Sequence, residues 1–225
     1  VQTYTKAPYR GVNLGGGAFN NIALDIKHNV YDKYHFVPYA PDGDLFFDKG
    51  ANTFRIPVSW EYLAGKNMAT TYRIDTSSHN TYYQNVKNLL TNLKRRYPGV
   101  HIILDLHNYM HYSTTGNLTD DWDYGAEVGT PTKGPSFKQF ENIWSDIEKN
   151  LVKPIDPNDK TIMLELMNEP YSNIGDTPKQ AATFDQNIGQ AYYDIITKIL
   201  KQDKPYKTTI DFLNHCPPDK SFCKE

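Results

Sequence analysis

The feature that most constrains the fold is an alternation of short apolar runs with longer segments of helical periodicity. The apolar runs are rich in β-prone residues and nearly continuous in hydrophobicity, which is typical of parallel strands buried on both faces. The strand candidates are residues 11–14, 52–57, 100–106 and 161–166, with a weaker fifth at 206–212. The helix candidates are residues 42–49, 82–97, 136–151 and 183–202. This order predicts a parallel sheet covered by helices.

Two architectures satisfy such an alternation, namely a (β/α)8 barrel and an open doubly wound sheet. The glycines at 15–17 lack the G-x-G-x-x-G spacing of a dinucleotide-binding loop. Polar residues instead stand at the carboxyl ends of several strand candidates, where the loops of a barrel assemble an active site. We therefore predict an α/β fold of the (β/α)8 TIM-barrel type, with about five βα units in this chain. Residues 1–205 then form one barrel domain, and 206–225 are an atypical tail.

Charge and composition argue against several classes of function. The 24 basic and 26 acidic residues are interleaved and leave a net charge of −2, so we expect no nucleic-acid partner. No apolar run approaches the ~20 residues of a membrane helix, so we expect no membrane partner. Cys216 and Cys223 could close a short disulfide loop in an oxidising compartment, and we do not expect a zinc site from this pair. The oligomeric state stays open.

One carboxyl group at a strand end indicates hydrolytic chemistry. Glu169 follows the fourth strand candidate, in the run Leu-Met-Asn-Glu-Pro at 166–170. Glycoside cleavage needs a carboxylic acid that protonates the leaving oxygen and a second carboxylate that attacks or activates water. Such an acid belongs in a partly desolvated pocket, because burial keeps it protonated near neutral pH. Glu169 is therefore the candidate general acid, and Asn168 could bond a sugar hydroxyl.

Other polar side chains are predicted to face the same mouth. Arg55 stands at the carboxyl end of the second strand candidate, which Pro57 is predicted to end, and could hold a carboxylate with paired N–H bonds. His107 shares strand parity with Asp105 and therefore faces the interior. Glu165 lies one layer deeper than Glu169, where we expect a structural bond to arginine or backbone groups. The candidate substrate-binding residues are Arg55, Trp60, His107, Asn108, Tyr109 and Asn168, with His111 and Tyr112 as weaker candidates.

Four ordered motifs together resemble a known family. They are Arg-Gly-Val-Asn-Leu at 10–14, Asn-Thr-Phe-Arg-Ile-Pro at 52–57 with Trp-Glu at 60–61, Ile-Leu-Asp-Leu-His-Asn-Tyr at 103–109, and Leu-Met-Asn-Glu-Pro at 166–170. Over residues 8–200 the chain resembles glycoside hydrolase family 5, and in particular its secreted endo-β-1,4-glucanases, or cellulases. The residues at 13–16 are also similar to the exo-β-1,3-glucanases of that family.

The resemblance implies a (β/α)8 barrel, a retaining mechanism, no metal or cofactor, and a polysaccharide or oligosaccharide substrate. It implies that Glu169 is the acid/base, with Arg55, His107 and Asn168 beside it. It also implies secretion, although the chain begins at Val1 without a signal-peptide pattern. Cleavage of β-1,4-glucan is the expected activity, and β-1,3-glucan and mannan are the alternative substrates.

The family pattern breaks in the last part of the chain. A retaining enzyme needs a nucleophile about 5 Å from the acid/base, and this family carries it as a glutamate ending the seventh strand. No glutamate after Glu169 follows a convincing late strand. Three interpretations remain open: a fragment of a longer enzyme, a non-catalytic glucan-binding protein, and a short enzyme whose nucleophile has moved, for instance to Asp105 or Asp211.

Overall fold

The computed structural model describes residues 8–18, 36–113, 125–130, 134–158, 161–170 and 178–200. Within these ranges the chain alternates strands and helices. The strands are β1 (Gly11–Asn13), β2 (Thr53–Val58), β3 (His101–Leu106), β4 (His111–Tyr112), β5 (Ala126–Glu127) and β6 (Ile162–Glu165). The helices are α1 (Asp44–Asp48), α2 (Trp60–Ala64), α3 (Thr81–Arg96), α4 (Phe137–Ile147) and α5 (Pro178–Asp194).

The four longer strand candidates form one parallel sheet in the order β1-β2-β3-β6. Within this sheet each strand pairs with the strand that follows it in sequence, as neighbouring strands of a (β/α)8 barrel do. The strands β4 and β5 form a separate pair. The register places Arg55 beside Ile103, and Asp105 beside both Pro57 and Glu165. The predicted fifth strand at 206–212, the tail at 206–225 and both cysteines lie outside the described residues.

The two faces of this sheet have different surroundings. On the outer face, alternate residues of β2 and β3 are buried to 1% exposure or less under the helices: Phe54, Ile56, Val58, Ile102, Leu104 and Leu106. The opposite face, called the inner face below, carries residues with the other parity, among them Arg55, Ile103, Asp105, Met163 and Glu165. Apart from Asp105, these inner-face residues are only partly buried.

The helices follow the predicted apolar stripes. On α3, Val86, Leu89, Leu90 and Leu93 are all buried, as the i, i+3, i+4 spacing predicted. Asn80 caps α3 by accepting from the backbone N–H of Tyr83, and basic residues fill its last turn, where the helix dipole favours them.

The predicted helix bounds differ from the observed ones by a few residues. The segment predicted at 42–49 is a 3-10 turn at Ala40–Gly43 followed by α1. A π-helical turn continues α4 through Val152, and another continues α5 through Ile199, while α5 begins five residues before the predicted 183. Among the described residues, no helix is both long and apolar enough to span a bilayer.

Two short features were not predicted. The helix α2 has only five residues and is capped by the Ser59 side chain, so it is too short to show a helical period. The antiparallel pair β4–β5 lies between the strand candidate at 100–106 and the helix candidate at 136–151, and in this pair His111 lies opposite Glu127.

The prediction that Pro57 ends the second strand was wrong, because β2 continues through Val58. The backbone N–H of Leu14 donates to the carbonyl of Arg55, which places that carbonyl on the β1 side. Residues of equal parity turn the same way, so the nitrogen of Pro57 also faces β1, whose pairing ends at Arg55. The missing donor of the proline therefore costs the sheet no hydrogen bond at this position.

Candidate active site

Arg55 is the centre of a hydrogen-bond network on the inner face. Its Nε donates to Oε2 of Glu165 at 2.6 Å, and its Nη2 donates to Oε1 at 2.7 Å. This paired geometry matches the fork of the guanidinium to the two oxygens of a carboxylate. The hydrogen bonds to Glu165 are the main reason that the pKa of Arg55 is raised. Arg55 lies in the middle of β2, so the prediction that it stands at the strand end was wrong, although its side chain reaches the end of β6.

Asn168 is held by the same arginine. Nη2 of Arg55 donates to its Oδ1 at 2.8 Å, and its backbone N–H donates to the carbonyl of Leu106 at 3.0 Å. Because the amide oxygen already accepts from Arg55, the N–H groups of this amide are the part that can donate to a ligand. Asn168 is buried, and it fixes the backbone immediately before Glu169.

Glu169 lies in the turn that follows β6. Its φ is +37°, a backbone conformation that non-glycine residues seldom adopt and that occurs more often at functional sites. The side chain is exposed, which differs from the partly desolvated pocket expected for a general acid.

Asp105, His107 and Tyr109 form a second chain of contacts at the end of β3. Nδ1 of His107 lies 2.7 Å from Oδ2 of Asp105, and the Tyr109 hydroxyl lies 3.0 Å from Nε2 of His107. The same Oδ2 of Asp105 lies 2.9 Å from Nη2 of Arg55, which joins this chain to the arginine network. His107 therefore faces the interior, as its strand parity predicted.

Asp105 does not fit the role of a relocated nucleophile. It is fully buried, and burial raises the pKa of its carboxyl group although His107 and Arg55 oppose that shift. One of its oxygens is already shared by the histidine and the arginine. The alternative candidate, Asp211, lies outside the described residues.

Two predicted sugar contacts are instead part of the protein interior. Trp60 is fully buried, donates from Nε1 to the carbonyl of Tyr72 at 2.8 Å, and packs edge-on against Tyr112. Asn108 is buried, and its Oδ1 accepts from the backbone N–H of Trp60 at 2.8 Å. Its Nδ2 donates to Oε2 of Glu61 at 2.6 Å.

The burial of Trp60 and Asn108 and the internal partners of their polar groups argue against the predicted direct contact with substrate. His111 and Tyr112, the weaker candidates, are also buried.

Sequence reasoning assigned no role to Glu61, although it stands inside one of the motifs. This carboxyl group is buried, and none of the cations in the described part of the chain forms a salt bridge with it; Ser59, Asn108 and the backbone N–H of Ser113 bond to it instead. Burial raises its pKa, and the bond from Ser113 is the largest opposing effect. In the sequence, Glu61 is recognisable only as a carboxylate directly after a tryptophan. That position does not identify the hydrogen-bond partners of its carboxyl group.

Comparisons with known proteins agree with this geometry. A model of the cellulase family (glycosyl hydrolase family 5) matches residues 17–210. The chain is 30% identical over 164 residues to Endoglucanase 1 of Saitozyma flava, an alignment that covers 72% of this chain and 39% of that protein. Among solved structures, it is similar to the endo-beta-1,4-glucanase Xac0029 of Xanthomonas axonopodis pv. citri, at 26% identity and a TM-score of 0.58.

That structural alignment covers 84% of this chain and 48% of the bacterial enzyme. A second similar structure is XacCel5A in complex with cellopentaose, at 26% identity and a TM-score of 0.57, covering 83% of this chain and 49% of that one. The chain thus spans less than half of the length of each of these proteins. The matches confirm the predicted (β/α)8 fold class, of which the described residues form four consecutive parallel strands with their helices.

Proposed function

The chain belongs to the cellulase family, glycosyl hydrolase family 5, and from this membership we propose that it hydrolyses β-1,4-glucan with Glu169 as the general acid/base. The curated relative is an endoglucanase, and the similar bacterial structure is an endo-β-1,4-glucanase. A β-1,4-linked glucan is accordingly the proposed substrate. The family resemblance also supports secretion and a role in polysaccharide degradation, which we include in the proposal.

The observation that best supports this role is the position of Glu169 directly after a fixed residue. Arg55 holds Asn168 by its side chain, and β3 holds Asn168 by its backbone. A carboxyl group that follows such an anchor is presented at the strand end in a restricted set of positions, which general acid catalysis requires. In the proposed reaction Glu169 protonates the glycosidic oxygen while the bond to the anomeric carbon breaks and that carbon bonds to a second carboxylate, which the retaining mechanism requires. Glu169 then removes a proton from the water that displaces this carboxylate and releases the product.

The other site residues have proposed roles in binding. His107 and Tyr109 lie at the end of β3 and Asn168 at the end of β6, so all three line the same edge of the sheet. Arg55 has an indirect role in this proposal, because its Nε and Nη2 groups contact Glu165, Asn168 and Asp105 inside the protein.

Asp105 and Glu165 are not proposed as the second carboxylate of a retaining mechanism. Both are bound to Arg55, and Asp105 is fully buried. Among the described inner-face residues, these two carboxylates therefore have positioning roles.

The test is hydrolysis of carboxymethylcellulose by the full chain, measured as released reducing sugar. We expect Glu169→Gln to lower the rate by about 10²–10⁴-fold, since the amide cannot donate or accept the proton. Glu141→Gln is the matched control and should keep the wild-type rate, because Glu141 lies on α4 and pairs with Lys138 on the outside of the sheet.

Two results would contradict the proposal: wild-type activity in Glu169→Gln, or binding of cellopentaose by the wild-type chain without any turnover. The second result would assign a glucan-binding function instead. Parallel assays on β-1,3-glucan and on mannan test the substrate, and faster hydrolysis of either polymer would replace the proposed linkage.

A further inference from the structure

The buried carboxylate of Asp105 contacts two groups that differ in chemical character. Its Oδ2 lies 2.9 Å from Nη2 of Arg55 and 2.7 Å from Nδ1 of His107. An arginine N–H can only donate. A carboxylate oxygen can only accept, and the cation on this oxygen favours its ionised form. Nδ1 of His107 must therefore carry the proton in this contact.

The other ring nitrogen then has the opposite polarity. In a neutral imidazole with a proton on Nδ1, Nε2 is an acceptor. The Tyr109 hydroxyl lies 3.0 Å from Nε2, within the range for an O–H group that donates to nitrogen. The two rings also meet edge to face, with centroids 5.1 Å apart. These contacts are consistent with one direction of donation, from Tyr109 to His107 and from His107 to Asp105.

We propose that Asp105 is a positioning residue that fixes His107 in the Nδ1–H form, so that Nε2 accepts a hydrogen bond at the mouth of the site. With no ligand bound, the Tyr109 hydroxyl supplies that bond. One consequence rests on the function proposed above. A glucan hydroxyl that binds Nε2 of His107 must donate the hydrogen bond.

The backbone at Tyr109 and Met110 has an unfavourable conformation. Tyr109 has φ +54° and Met110 has φ +61°, both in the left-handed region that disfavours side chains. Such a conformation persists only where contacts compensate for it. The Tyr109–His107 bond is one such contact, because it acts directly on the side chain of the first residue in this conformation.

The test reads the tautomer of His107 directly by nitrogen NMR on the full chain with ¹⁵N-labelled histidine. Spectra are recorded about two pH units above the ordinary histidine pKa of ~6.5, where imidazoles are neutral. The signal of His107 is identified by its loss in His107→Phe. We expect wild-type His107 to carry its proton on Nδ1. In Asp105→Asn and more strongly in Asp105→Ala, the proton should move toward Nε2, because the carboxylate acceptor is gone.

Asp156→Asn is the matched control. Asp156 is also a buried aspartate that accepts hydrogen bonds, from Thr161 and Ile162 at the start of β6, away from His107. This variant should leave the His107 signal unchanged. The proposal is overturned if wild-type His107 carries the proton on Nε2, or if its tautomer is the same in both Asp105 variants. If Asp105→Ala does not fold, the proposal is tested by the tautomer of His107 in the wild-type chain and in Asp105→Asn.

This outcome does not depend on the proposed hydrolysis, since the tautomer is measured without substrate. Where the wild-type chain hydrolyses glucan, Asp105→Asn should raise KM for cello-oligosaccharides about tenfold, the loss expected for one weakened hydrogen bond. The change in kcat should be smaller, because Asp105 contacts neither Glu169 nor the reacting atoms in this proposal. If wild-type His107 carries its proton on Nδ1 but the chain does not hydrolyse glucan, the proposed function is contradicted and the role of Asp105 is not.

Discussion

Arg55 shows how one residue can organise several functional groups. Its guanidinium contacts Glu165, Asn168 and Asp105, and the first two belong to a strand end 110 or more residues away in the chain. A lysine has the same charge but presents it as a point, without the planar fork that meets both carboxylate oxygens. The geometry of the site therefore depends on the shape of this side chain as well as on its charge.

We expect Arg55→Lys to lower the free energy of unfolding by about 1.5–3 kcal/mol, the value of a partly buried charge-assisted hydrogen bond. Urea denaturation measures this change. The matched control is Arg96→Lys, because Arg96 makes the same paired contact with Asp44 but on the exposed surface. The control should lose much less. Equal losses in the two variants would show that the Arg55 network does not stabilise the fold.

At the scale of elements, a single carboxyl group joins the segments that follow three strands. Glu61 accepts from Ser59 after β2, from Asn108 after β3, and from the backbone of Ser113 after β4. Asn108 in turn accepts from the backbone N–H of Trp60. This cluster fixes the start of the segment that contains Tyr109, so it supports the site without facing it.

The cluster predicts a pH dependence of stability. Burial raises the pKa of Glu61 above its usual 4.5, so the folded chain retains a proton there that the unfolded chain releases. Stability from this group is therefore present below pH ~4.5 and is lost as the pH rises through the raised pKa, by about 1.4 kcal/mol per pH unit between the two values.

The variant Glu61→Gln cannot ionise and should lack this decline. We expect it to be less stable than wild type at pH 4.5, because its amide places N–H groups against the donors that surround Glu61. The difference in the free energy of unfolding between wild type and Glu61→Gln should become smaller as the pH rises toward 8. Urea denaturation of both proteins at several pH values measures it, and a gap that stays constant would disprove a raised pKa.

At the scale of the whole molecule, the sheet is buried on its outer face and more open on its inner face. Ile102 and Ile103 are neighbours in β3 with opposite parity, and only Ile102 is fully buried. The outer face contributes most of the apolar packing under the helices. The inner face carries the charged network of Arg55, Asp105 and Glu165, which is the part that the proposed function uses.

This asymmetry gives a matched pair of variants. We expect Ile102→Ala to cost about 2–5 kcal/mol of unfolding free energy, because it leaves a cavity in a packed interior. Ile103→Ala should cost less than half as much, since its side chain is already partly in contact with solvent. Denaturant midpoints compare the two. A loss at Ile103 as large as that at Ile102 would mean that the inner face is packed to the same extent.

The periodicity of the sequence was enough to predict the four parallel strands and the longer helices that follow them. Strand parity also placed His107 on the same side as Asp105, and it placed Glu165 below the strand end, where Glu165 bonds an arginine as expected. These predictions succeeded because they depend on residues two to four positions apart, whose geometry a strand or a helix fixes locally.

The sequence was less informative where burial depends on distant parts of the chain. Trp60 and Asn108 look like exposed sugar contacts in the sequence, but Tyr72, Tyr112 and Glu61 enclose or bind them. The short helix α2 and the pair β4–β5 were missed because so few residues show no measurable period.

The sequence by itself therefore determined the order of the strands and helices, the face on which each side chain lies, and Glu169 as the candidate acid. Only the tertiary structure decided which groups meet. The register of β2, β3 and β6 brings Arg55 to Glu165 and Asn168, and brings Asp105 between Arg55 and His107. The physical reason is that alternation along a strand sets a direction for each side chain, whereas a hydrogen bond also needs a partner within about 3 Å, which the packing of distant segments provides.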